Sequence, residues 1–266
     1  LVSLGGDRGE AVLAGDDGLW DLSTGVPDAE LLPPLGAALA SLPTSATARS
    51  YLDDPVLPEL REAVLADWPY APDVLTIVDG AMDAIDLVVR TALRLGEQVA
   101  VENPCFPPLV DVLESVGVQV VGVPLDDAGM DPDALATVIK GGVTAVVLQP
   151  RAQNPTGVCL TRERAEQLAS VCGEAGVLVI EDDSMGATSA AAPISLAEWI
   201  PGQTVHVRSY AKTHGPDLRL AAVSGPATVL GEAIARRQLG QGWTSRLLQR
   251  LLLDLLTHPE SVASVE

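Results

Sequence analysis

The sequence contains few residues of several kinds, and each shortage excludes a class of protein. Of its 266 residues, 16 are Lys or Arg and 36 are Asp or Glu, so the net charge is −20. Such an acidic surface repels phosphate backbones, and we expect no nucleic-acid binding through this chain itself. No apolar run approaches the roughly 20 residues that cross a bilayer, and the first residues do not form a basic, apolar signal peptide. The sequence therefore predicts no membrane partner and a cytoplasmic location.

Potential metal ligands are also scarce. The three cysteines and three histidines are widely spaced, at Cys105, Cys159, Cys172, His206, His214 and His258. They form neither a CxxC nor an HExxH pattern, so the sequence predicts no metal site. An odd number of scattered cysteines instead indicates buried thiols in a reducing compartment.

Lysine is the scarcest charged residue. Only Lys140 and Lys212 are present, so chemistry that needs a side-chain primary amine has two candidates. Lys140 precedes Gly141 at the end of a predicted helix, where a cation pairs with the last carbonyl groups. Lys212 follows a predicted strand, a position where a lysine more often lies on the surface.

The rest of the sequence alternates short apolar runs with amphipathic segments. Predicted strands cover residues 74–78, 98–101, 118–123, 144–148, 177–180, 204–208 and 220–224. Predicted helices cover residues 57–67, 81–95, 109–115, 131–140, 161–175 and the segment from about 227 onward. Asp131 and Thr161 are the expected N-caps of two of these helices. Repeated β–α–β units indicate an α/β fold with a mostly parallel sheet, whereas the Gly- and Pro-rich residues 1–45 predict an extended arm.

Ligands bind to such sheets where strands end and loops begin. Four segments at predicted strand ends stand out, namely Asp79-Gly80-Ala81-Met82, Asn154-Pro155-Thr156-Gly157, Glu181-Asp182-Asp183 and Ser209-Tyr210-Ala211-Lys212. Each alone has a structural explanation, as a turn, a solvated acid or a surface lysine. Their occurrence together and in this order calls for a common explanation.

Together, these segments resemble the fold-type-I pyridoxal-phosphate enzymes of the aspartate aminotransferase superfamily (aminotransferase class I/II). The stretch from Ser209 to Arg219 is similar to that family's cofactor-lysine signature, and segments 181–186 and 209–221 are closest to the aminotransferase-like domains of MocR-type members of the GntR regulators. The resemblance covers about residues 20 to 255. It implies an N-terminal arm at 1–45 and a three-layer α/β/α large domain at 46–240. At 241–266 it implies the start of a helix that leads to a small C-terminal domain, which we expect to be missing.

The resemblance implies a role for each residue around the cofactor ring. Lys212 would bind pyridoxal 5'-phosphate as a Schiff base and act as a catalytic base. Asp182, the second catalytic residue, would keep the pyridine nitrogen protonated, with Asp183 as the alternative register. Asn154 would donate a hydrogen bond to the ring hydroxyl oxygen, and Phe106 would stack on the ring unless it is an ordinary core residue.

The resemblance also implies how the phosphate and the substrate are held. The phosphate would bind to backbone amides at a helix start, a hydroxyl group and a guanidinium, from Gly80, Ala81, Met82, Ser209 and Arg219. Tyr51 matches a tyrosine that reaches the phosphate of the partner subunit in family dimers, so we expect a homodimer. A packing role for Tyr51 is the alternative. Gly25 resembles a segment that closes over the substrate carboxylate.

Two functions share this set of residues. The first is an aminotransferase (transaminase) that transfers the amino group of an amino acid or amine through Lys212. The second is the effector domain of a GntR/MocR-type regulator, which senses the cofactor without turnover and would carry a basic winged helix upstream. A third alternative, an acidic α/β module that never binds the cofactor, requires the ordered motifs to be a coincidence. The identity of the substrate is not predicted.

Two of the departures from the family pattern bear directly on the ring contacts and on the substrate. Family members usually have a bulky Tyr or His where this chain has Ser184, so we expect one contact to the ring oxygen to be missing. The sequence ends at Glu266, without the C-terminal arginine that binds the substrate's α-carboxylate in the family. We therefore expect little or no transaminase activity from this chain alone.

Overall fold

A computed structural model describes residues 25–42, residue 50 and residues 52–265. Within these residues the helices are α1 (Leu35–Ser41), α2 (Pro58–Leu65), α3 (Ala81–Ala92), α4 (Pro107–Ser115), α5 (Pro132–Lys140), α6 (Arg162–Ala175), α7 (Ala211–His214), α8 (Ala227–Gln238), α9 (Arg246–Thr257) and α10 (Pro259–Val265). The strands are β1 (Val74–Val78), β2 (Gln98–Asn103), β3 (Gln119–Asp126), β4 (Gly129–Met130), β5 (Val143–Leu148), β6 (Leu178–Asp183), β7 (Thr204–Ser209) and β8 (Ala221–Gly225). Short 3-10 helices lie at Gly186–Thr188, Leu196–Glu198 and Pro216–Leu218.

The strands form one eight-stranded sheet in the order β1-β8-β7-β6-β5-β2-β3-β4. The strands from β7 to β3 in this order pair in parallel. In contrast, β8 runs antiparallel to both of its neighbours, and β4 runs antiparallel to β3. Parallel neighbours need long connections, because the chain must return across the sheet before the next strand begins. The predicted α/β fold with a mostly parallel sheet is confirmed.

Side chains alternate between the two faces of the sheet and so define its layers. On one face, α3, α4 and α8 cover alternate residues of the central strands, such as Ile180 and Val207. On the other face, α5 and α6 cover residues such as Val179, while α1, α2 and α9 cover β1 and β8. Because helices cover both faces, β7 is buried along its whole length.

The two predicted helix caps are present in the structure. The Asp131 carboxylate accepts hydrogen bonds from the N–H groups of Asp133 and Ala134 at the start of α5. The Thr161 hydroxyl accepts one from the N–H of Arg164 at the start of α6. These bonds satisfy amides that have no partner inside the helix, and they fix where both helices begin on the sheet.

The structure corrects the prediction of an extended conformation at residues 35–41, whereas the assignment of residues 1–45 to an arm stays a prediction. Residues 35–41 form α1, and its Ala38 is buried in the cluster that contains the leucines of α9. Ser41 Oγ donates to Asp254 Oδ1 of α9 at 2.9 Å. Tertiary contacts therefore stabilise a helix that is too short to form alone. Pro34 is its N-cap, so a proline marks where this helix begins.

The C-terminal segment 241–266, which was predicted to lead towards another domain, contains α9 and α10. Leu252 and Leu255 of α9 are fully buried, in the cluster that also contains Leu60 of α2 and Leu75 of β1. α9 therefore packs on the same core as the sheet. The domain boundary at 240 stays a prediction.

The described part of the chain shows neither a membrane span nor a metal cluster. No helix in it is long and apolar enough to cross a bilayer. Among these residues, no group of three or more His, Cys, Asp or Glu side chains could hold a metal ion. Cys172 is buried, whereas Cys105 and Cys159 are only partly buried, so the prediction of buried thiols is correct for Cys172 alone.

We expect Leu252→Ala to lower the free energy of unfolding by about 2–5 kcal/mol, because it leaves a cavity in the core shared by α9 and α2. Leu247 lies in the same helix but is 48% exposed. Leu247→Ala is therefore the matched control, with an expected loss under about 1 kcal/mol. Urea denaturation measures both losses, and equal values would contradict the packing of α9 on this core.

Candidate active site

Six predicted site segments lie along one edge of the sheet. The strands β7, β6, β5 and β2 are parallel, so their carboxyl ends share this edge. The end of β1 and the start of β8 also lie there, because β8 is antiparallel to both β1 and β7. From β1 towards β2, the edge carries Gly80, Arg219, Ser209 with Lys212, Asp182, Asn154 and Phe106. Residues that are distant in the sequence are therefore neighbours across one edge.

At one end of this edge, Gly80 and Arg219 are in contact. Gly80 is the N-cap of α3 with a φ of 113°, and a Cβ at this position would lie 3.2 Å from Arg219 Nη2. Arg219 has a φ of 49°, in the left-handed region that residues other than glycine rarely adopt. The guanidinium thus lies against the first turn of α3. There, the amides contributed by Ala81 and Met82 and the helix dipole favour an anion.

Two aspartates flank this helix start, and one arginine of α8 forms an ion pair with each. Arg237 Nη2 lies 2.8 Å from Asp79 Oδ2, and Arg237 Nη1 lies 3.1 Å from Asp83 Oδ2. Without the arginine, these carboxylates would repel an anion at the start of α3. Arg237 is not predicted from the sequence, because α8 is distant from α3 in the chain and only the fold brings them together.

Lys212 lies in α7, the single turn that follows β7. Its Nζ donates to the carbonyl oxygen of Gly25 at 2.5 Å, which places the N-terminal segment against the lysine. Ser209 ends β7, and its hydroxyl accepts a hydrogen bond from the N–H of Ala211 at 3.2 Å. The structure therefore brings three predicted site residues together around one turn, and the amine is partly exposed.

Asp182 is 2% exposed and lies at the end of β6. Its Oδ2 accepts a hydrogen bond from Gln149 Nε2 at 2.9 Å, and its Oδ1 accepts one from the Ser184 hydroxyl. Gln149 Oε1 in turn accepts from the N–H of Asn154 at 2.8 Å, so one glutamine joins two predicted ring contacts. Burial raises the pKa of the Asp182 carboxyl above its usual range, and the hydrogen bonds from Ser184 and Gln149 oppose that rise.

Asp183 points to the opposite face of the sheet, because adjacent residues of a strand alternate. Arg151 binds both of its oxygens, from Nε at 2.9 Å and from Nη2 at 2.6 Å. Burial alone would raise the pKa of Asp183, but the neighbouring His206 and Arg151 hold it well below its usual range. The Asp183 oxygens are already bound in ion pairs, so the geometry favours Asp182 for contact with a ligand.

His206 lies between two carboxylates on that opposite face. Its Nδ1 is 2.7 Å from Glu181 Oε2, and its Nε2 is 3.6 Å from Asp183 Oδ2. Burial lowers the pKa of His206, but the two carboxylates outweigh burial and raise it above its usual range. Trp68 packs edge-on against the imidazole, with ring centroids 5.1 Å apart, and closes this charge cluster from the side of α2.

For three predicted site residues, the structure does not show a side-chain contact with the rest of the edge. Phe106 is the N-cap of α4 and packs against the core beneath α3 and α4, so stacking and core packing both stay open. The side chain of Met82 lines a groove between α3 and α4 beside Val112, so only its backbone amide belongs to the edge. Tyr51 lies outside the described residues.

Several polar residues of this edge escaped the sequence analysis. Gln153 Nε2 donates to the carbonyl oxygen of Pro104 at 2.8 Å, and Gln153 Oε1 accepts from the Thr156 hydroxyl at 2.6 Å. This side chain holds the loop after β5 against the loop after β2. The sequence could have indicated Gln149, because it directly follows a predicted apolar strand. The acids of segment 181–183 occupy the same kind of position.

A three-layer α/β/α fold with these residues along one edge is that of the large domain of fold-type-I pyridoxal-phosphate enzymes. The chain is 39% identical over 254 residues to the vitamin B6 salvage pathway transcriptional repressor PtsJ of Salmonella typhimurium, covering 91% of this chain and 57% of the repressor. It is 30% identical over 257 residues to the HTH-type transcriptional regulator YdcR of Escherichia coli, covering 91% of this chain and 54% of the regulator.

Solved structures show the same fold. LysN, an alpha-aminoadipate aminotransferase from Thermus thermophilus complexed with N-(5'-phosphopyridoxyl)-L-leucine, matches with a TM-score of 0.80 at 27% identity, covering 91% of this chain and 65% of LysN. The chain belongs to the aminotransferase class I and II family, whose model matches residues 17–266. This family depends on pyridoxal phosphate. The resemblance inferred from the sequence is therefore confirmed, and the chain spans little more than half of the two regulators, 57% and 54%.

The charge on His206 should make stability depend on pH. The folded-state pKa of His206 lies above its unfolded value of about 6.5. Its contribution to stability is therefore complete below about pH 6.5 and is lost as the pH rises through the folded-state pKa. We expect the free energy of unfolding to fall as the pH rises above about 6.5, and His206→Gln to make that fall shallower.

Urea denaturation at several pH values measures the two slopes. Burial raises the pKa of Glu102 to about 8. Glu102 therefore also makes the free energy of unfolding fall as the pH rises, in the wild type and in His206→Gln alike. The difference between the slopes therefore reports His206 together with the carboxylates that it contacts. Parallel slopes would contradict a charged His206 between Glu181 and Asp183.

Proposed function

We propose that this chain binds pyridoxal 5'-phosphate at the carboxyl-end edge of its sheet and uses it, through Lys212, to transfer the amino group of an amino acid or amine. The observation that carries the proposal is the order of side chains along that edge. Gly80 and Arg219 lie at one end, Lys212 follows, and Asp182 and Asn154 come next. A cofactor with a phosphate at one end and a pyridine ring at the other needs an anion site, an amine and a carboxylate in that order.

The residues at the phosphate end fit a dianion. The absence of a Cβ at Gly80 lets the Arg219 guanidinium approach the start of α3. Ala81 and Met82 would contribute backbone amides, and Ser209 would contribute its hydroxyl. Arg219 would supply a fixed positive charge and two parallel hydrogen bonds.

The residues at the ring end fit a pyridine. A buried carboxylate with a raised pKa, such as Asp182, gains most from a cationic partner, which a protonated ring nitrogen provides. Asn154 would donate to the ring hydroxyl oxygen, and Phe106 would cover one face of the ring. Ser184 donates to Asp182, so it supports the carboxylate where family members contact the ring oxygen.

The proposed catalysis depends on one amine and one carboxylate. When bound, the cofactor supplies the electron sink that acidifies the substrate's α-hydrogen. Lys212 Nζ would accept that proton and return it as a general base, with the Gly25 carbonyl orienting the amine. Asp182 would keep the sink effective by holding the proton on the ring nitrogen. The other lysine, Lys140, ends α5 and lies away from this edge in the sequence and the sheet.

The similarity to PtsJ favours a second candidate function, the effector domain of a GntR/MocR-type transcriptional regulator. PtsJ is described as a repressor of a vitamin B6 salvage pathway, and it is 39% identical to this chain. The residues that would bind the cofactor in a transaminase would equally bind it in a sensor. In that case Lys212 would capture the cofactor without subsequent transfer.

The proposed assembly is a homodimer, and the proposed location is the cytoplasm. Family sites lie at a subunit interface, and Tyr51 of one protomer would reach the phosphate of the other. The shortage of lysine and arginine, with a net charge of −20, supports a small-molecule ligand rather than a nucleic acid as the partner of this chain.

Lys212→Ala should abolish covalent attachment of the cofactor, because it removes the amine at the edge. Lys140→Ala, the same substitution at the only other lysine, should retain attachment. Each protein is incubated with pyridoxal 5'-phosphate and reduced with borohydride, and peptide mass spectrometry locates the label. A label on Lys140, or an unlabelled wild type, would contradict the proposal.

A panel of amino acids separates the two candidate functions. Transfer converts the bound cofactor to its amine form and releases an equal amount of keto acid. We expect slow, single-turnover release of keto acid from the loaded protein, in keeping with the little activity expected of this chain alone, and none from Lys212→Ala. A loaded wild type that releases no keto acid with any member of the panel would contradict transfer and favour the effector domain.

A further inference from the structure

Gln149 joins two residues that the proposed function assigns to different parts of the cofactor ring. Its Nε2 donates to Asp182 Oδ2 at 2.9 Å, and its Oε1 accepts from the N–H of Asn154 at 2.8 Å. Gln149 is 6% exposed, and its own N–H donates to Glu102 Oε2 at 3.1 Å. The side chain is therefore held at both ends of its amide, and its backbone is anchored to β2.

The contacts determine which way the amide points. The N–H of Asn154 is only a donor, so it must face the amide oxygen of Gln149. The amide nitrogen of Gln149 must then face Asp182, which can accept this hydrogen bond only through an oxygen lone pair. A proton on Asp182 Oδ2 in this direction would collide with the amide hydrogen. The arrangement therefore favours the ionised form of Asp182, against the effect of its burial.

Ser184 adds a second donor on the other carboxylate oxygen. Its hydroxyl donates to Asp182 Oδ1, so each oxygen of the carboxylate has one protein partner. Because each oxygen accepts from a different donor, the Asp182 carboxylate is held in one rotation about its Cβ–Cγ bond. A carboxylate oxygen has more than one acceptor direction, so a further donor can still bind.

We propose that Gln149 is a positioning residue, which holds Asp182 as an oriented carboxylate for the ring nitrogen and fixes its place relative to Asn154. This inference rests on the proposed function. Neither the sequence motif nor the family match assigns a role to Gln149. The residue acts through Asp182 and Asn154 and does not itself touch the reacting atoms.

Other charged groups near Asp182 must be separated from this effect. Glu102 of β2 contacts Gln149 through the backbone, and Asp183 and His206 lie on the opposite face of the sheet. None of these three is altered by substitution of the Gln149 side chain. A change in the titration of Asp182 in such a variant therefore reports the loss of the Gln149 amide.

The test uses Gln149→Met, which keeps the size of the side chain and removes its hydrogen bonds. Gln249→Met is the matched control, because Gln249 is also fully buried. The Gln249 amide accepts from Leu57 and donates to Pro55 and Thr244, rather than to Asp182 or Asn154. Gln249→Met therefore shows how much stability is lost when any buried glutamine is replaced. Thermal melting of both variants compares these losses.

The first measurement needs no cofactor. Carbon-detected NMR follows the carboxyl of Asp182, assigned with Asp182→Asn, as the pH changes. We expect the pKa of Asp182 to rise by about one pH unit in Gln149→Met, because a hydrogen bond to the charged form is lost. We expect no rise in Gln249→Met. An unchanged pKa in Gln149→Met would overturn the inference, whatever the cofactor does.

The second measurement uses protein loaded with pyridoxal 5'-phosphate. Positive charge on the ring nitrogen lowers the proton affinity of the nitrogen that links the cofactor to Lys212. We expect Gln149→Met to shift the pH midpoint of the visible absorption band upward and to weaken cofactor binding about tenfold.

The outcomes of the two measurements are distinguishable. A wild type with no visible band refutes the proposed function itself. A wild type with the band, and a midpoint that is the same in Gln149→Met, overturns the positioning role alone. A shift in Gln149→Met, with none in Gln249→Met, supports it.

Discussion

A carboxylate that is buried at the end of a strand must find hydrogen-bond donors, and this requirement organises the edge of the sheet. Asp182 finds them in Gln149 on the neighbouring strand and in Ser184 on the loop that follows. Gln149 also accepts a hydrogen bond from the backbone N–H of Asn154. The side chain that binds Asp182 therefore also holds the loop after β5 in place. The parallel order of β5 and β6 makes this possible, since it puts both strand ends on the same side.

Because side chains alternate along β6, its three consecutive acids face different sides of the sheet and have different partners. Glu181 and Asp183 face one side of the sheet, where His206 and Arg151 neutralise them. Asp182 faces the other side, where its partners are neutral. A cationic ligand is therefore attracted to Asp182, whereas the neighbouring acids are already paired. At the start of α3, Arg237 pairs with both Asp79 and Asp83 and so weakens their repulsion of an anion.

Much of this arrangement follows from the sequence, because it depends on local patterns. Apolar runs and the caps Asp131 and Thr161 predict the strands and helices of the sheet layers. The helix α1 could not be predicted, since its stability comes from contacts with α9 rather than from its own seven residues. Arg237 and Gln149 were missed for a related reason. Each acts on a residue that is distant in the sequence, and neither belongs to a recognisable motif.

The central claim is that Lys212 and Asp182 act on one cofactor molecule whose phosphate lies at the start of α3. A crystal structure of the protein soaked with pyridoxal 5'-phosphate tests this most directly. The account predicts continuous density from Lys212 Nζ to the cofactor, the ring nitrogen beside Asp182, and the phosphate between Gly80 and Arg219. A free Lys212 with the cofactor bound elsewhere, or a phosphate away from the first turn of α3, would contradict it.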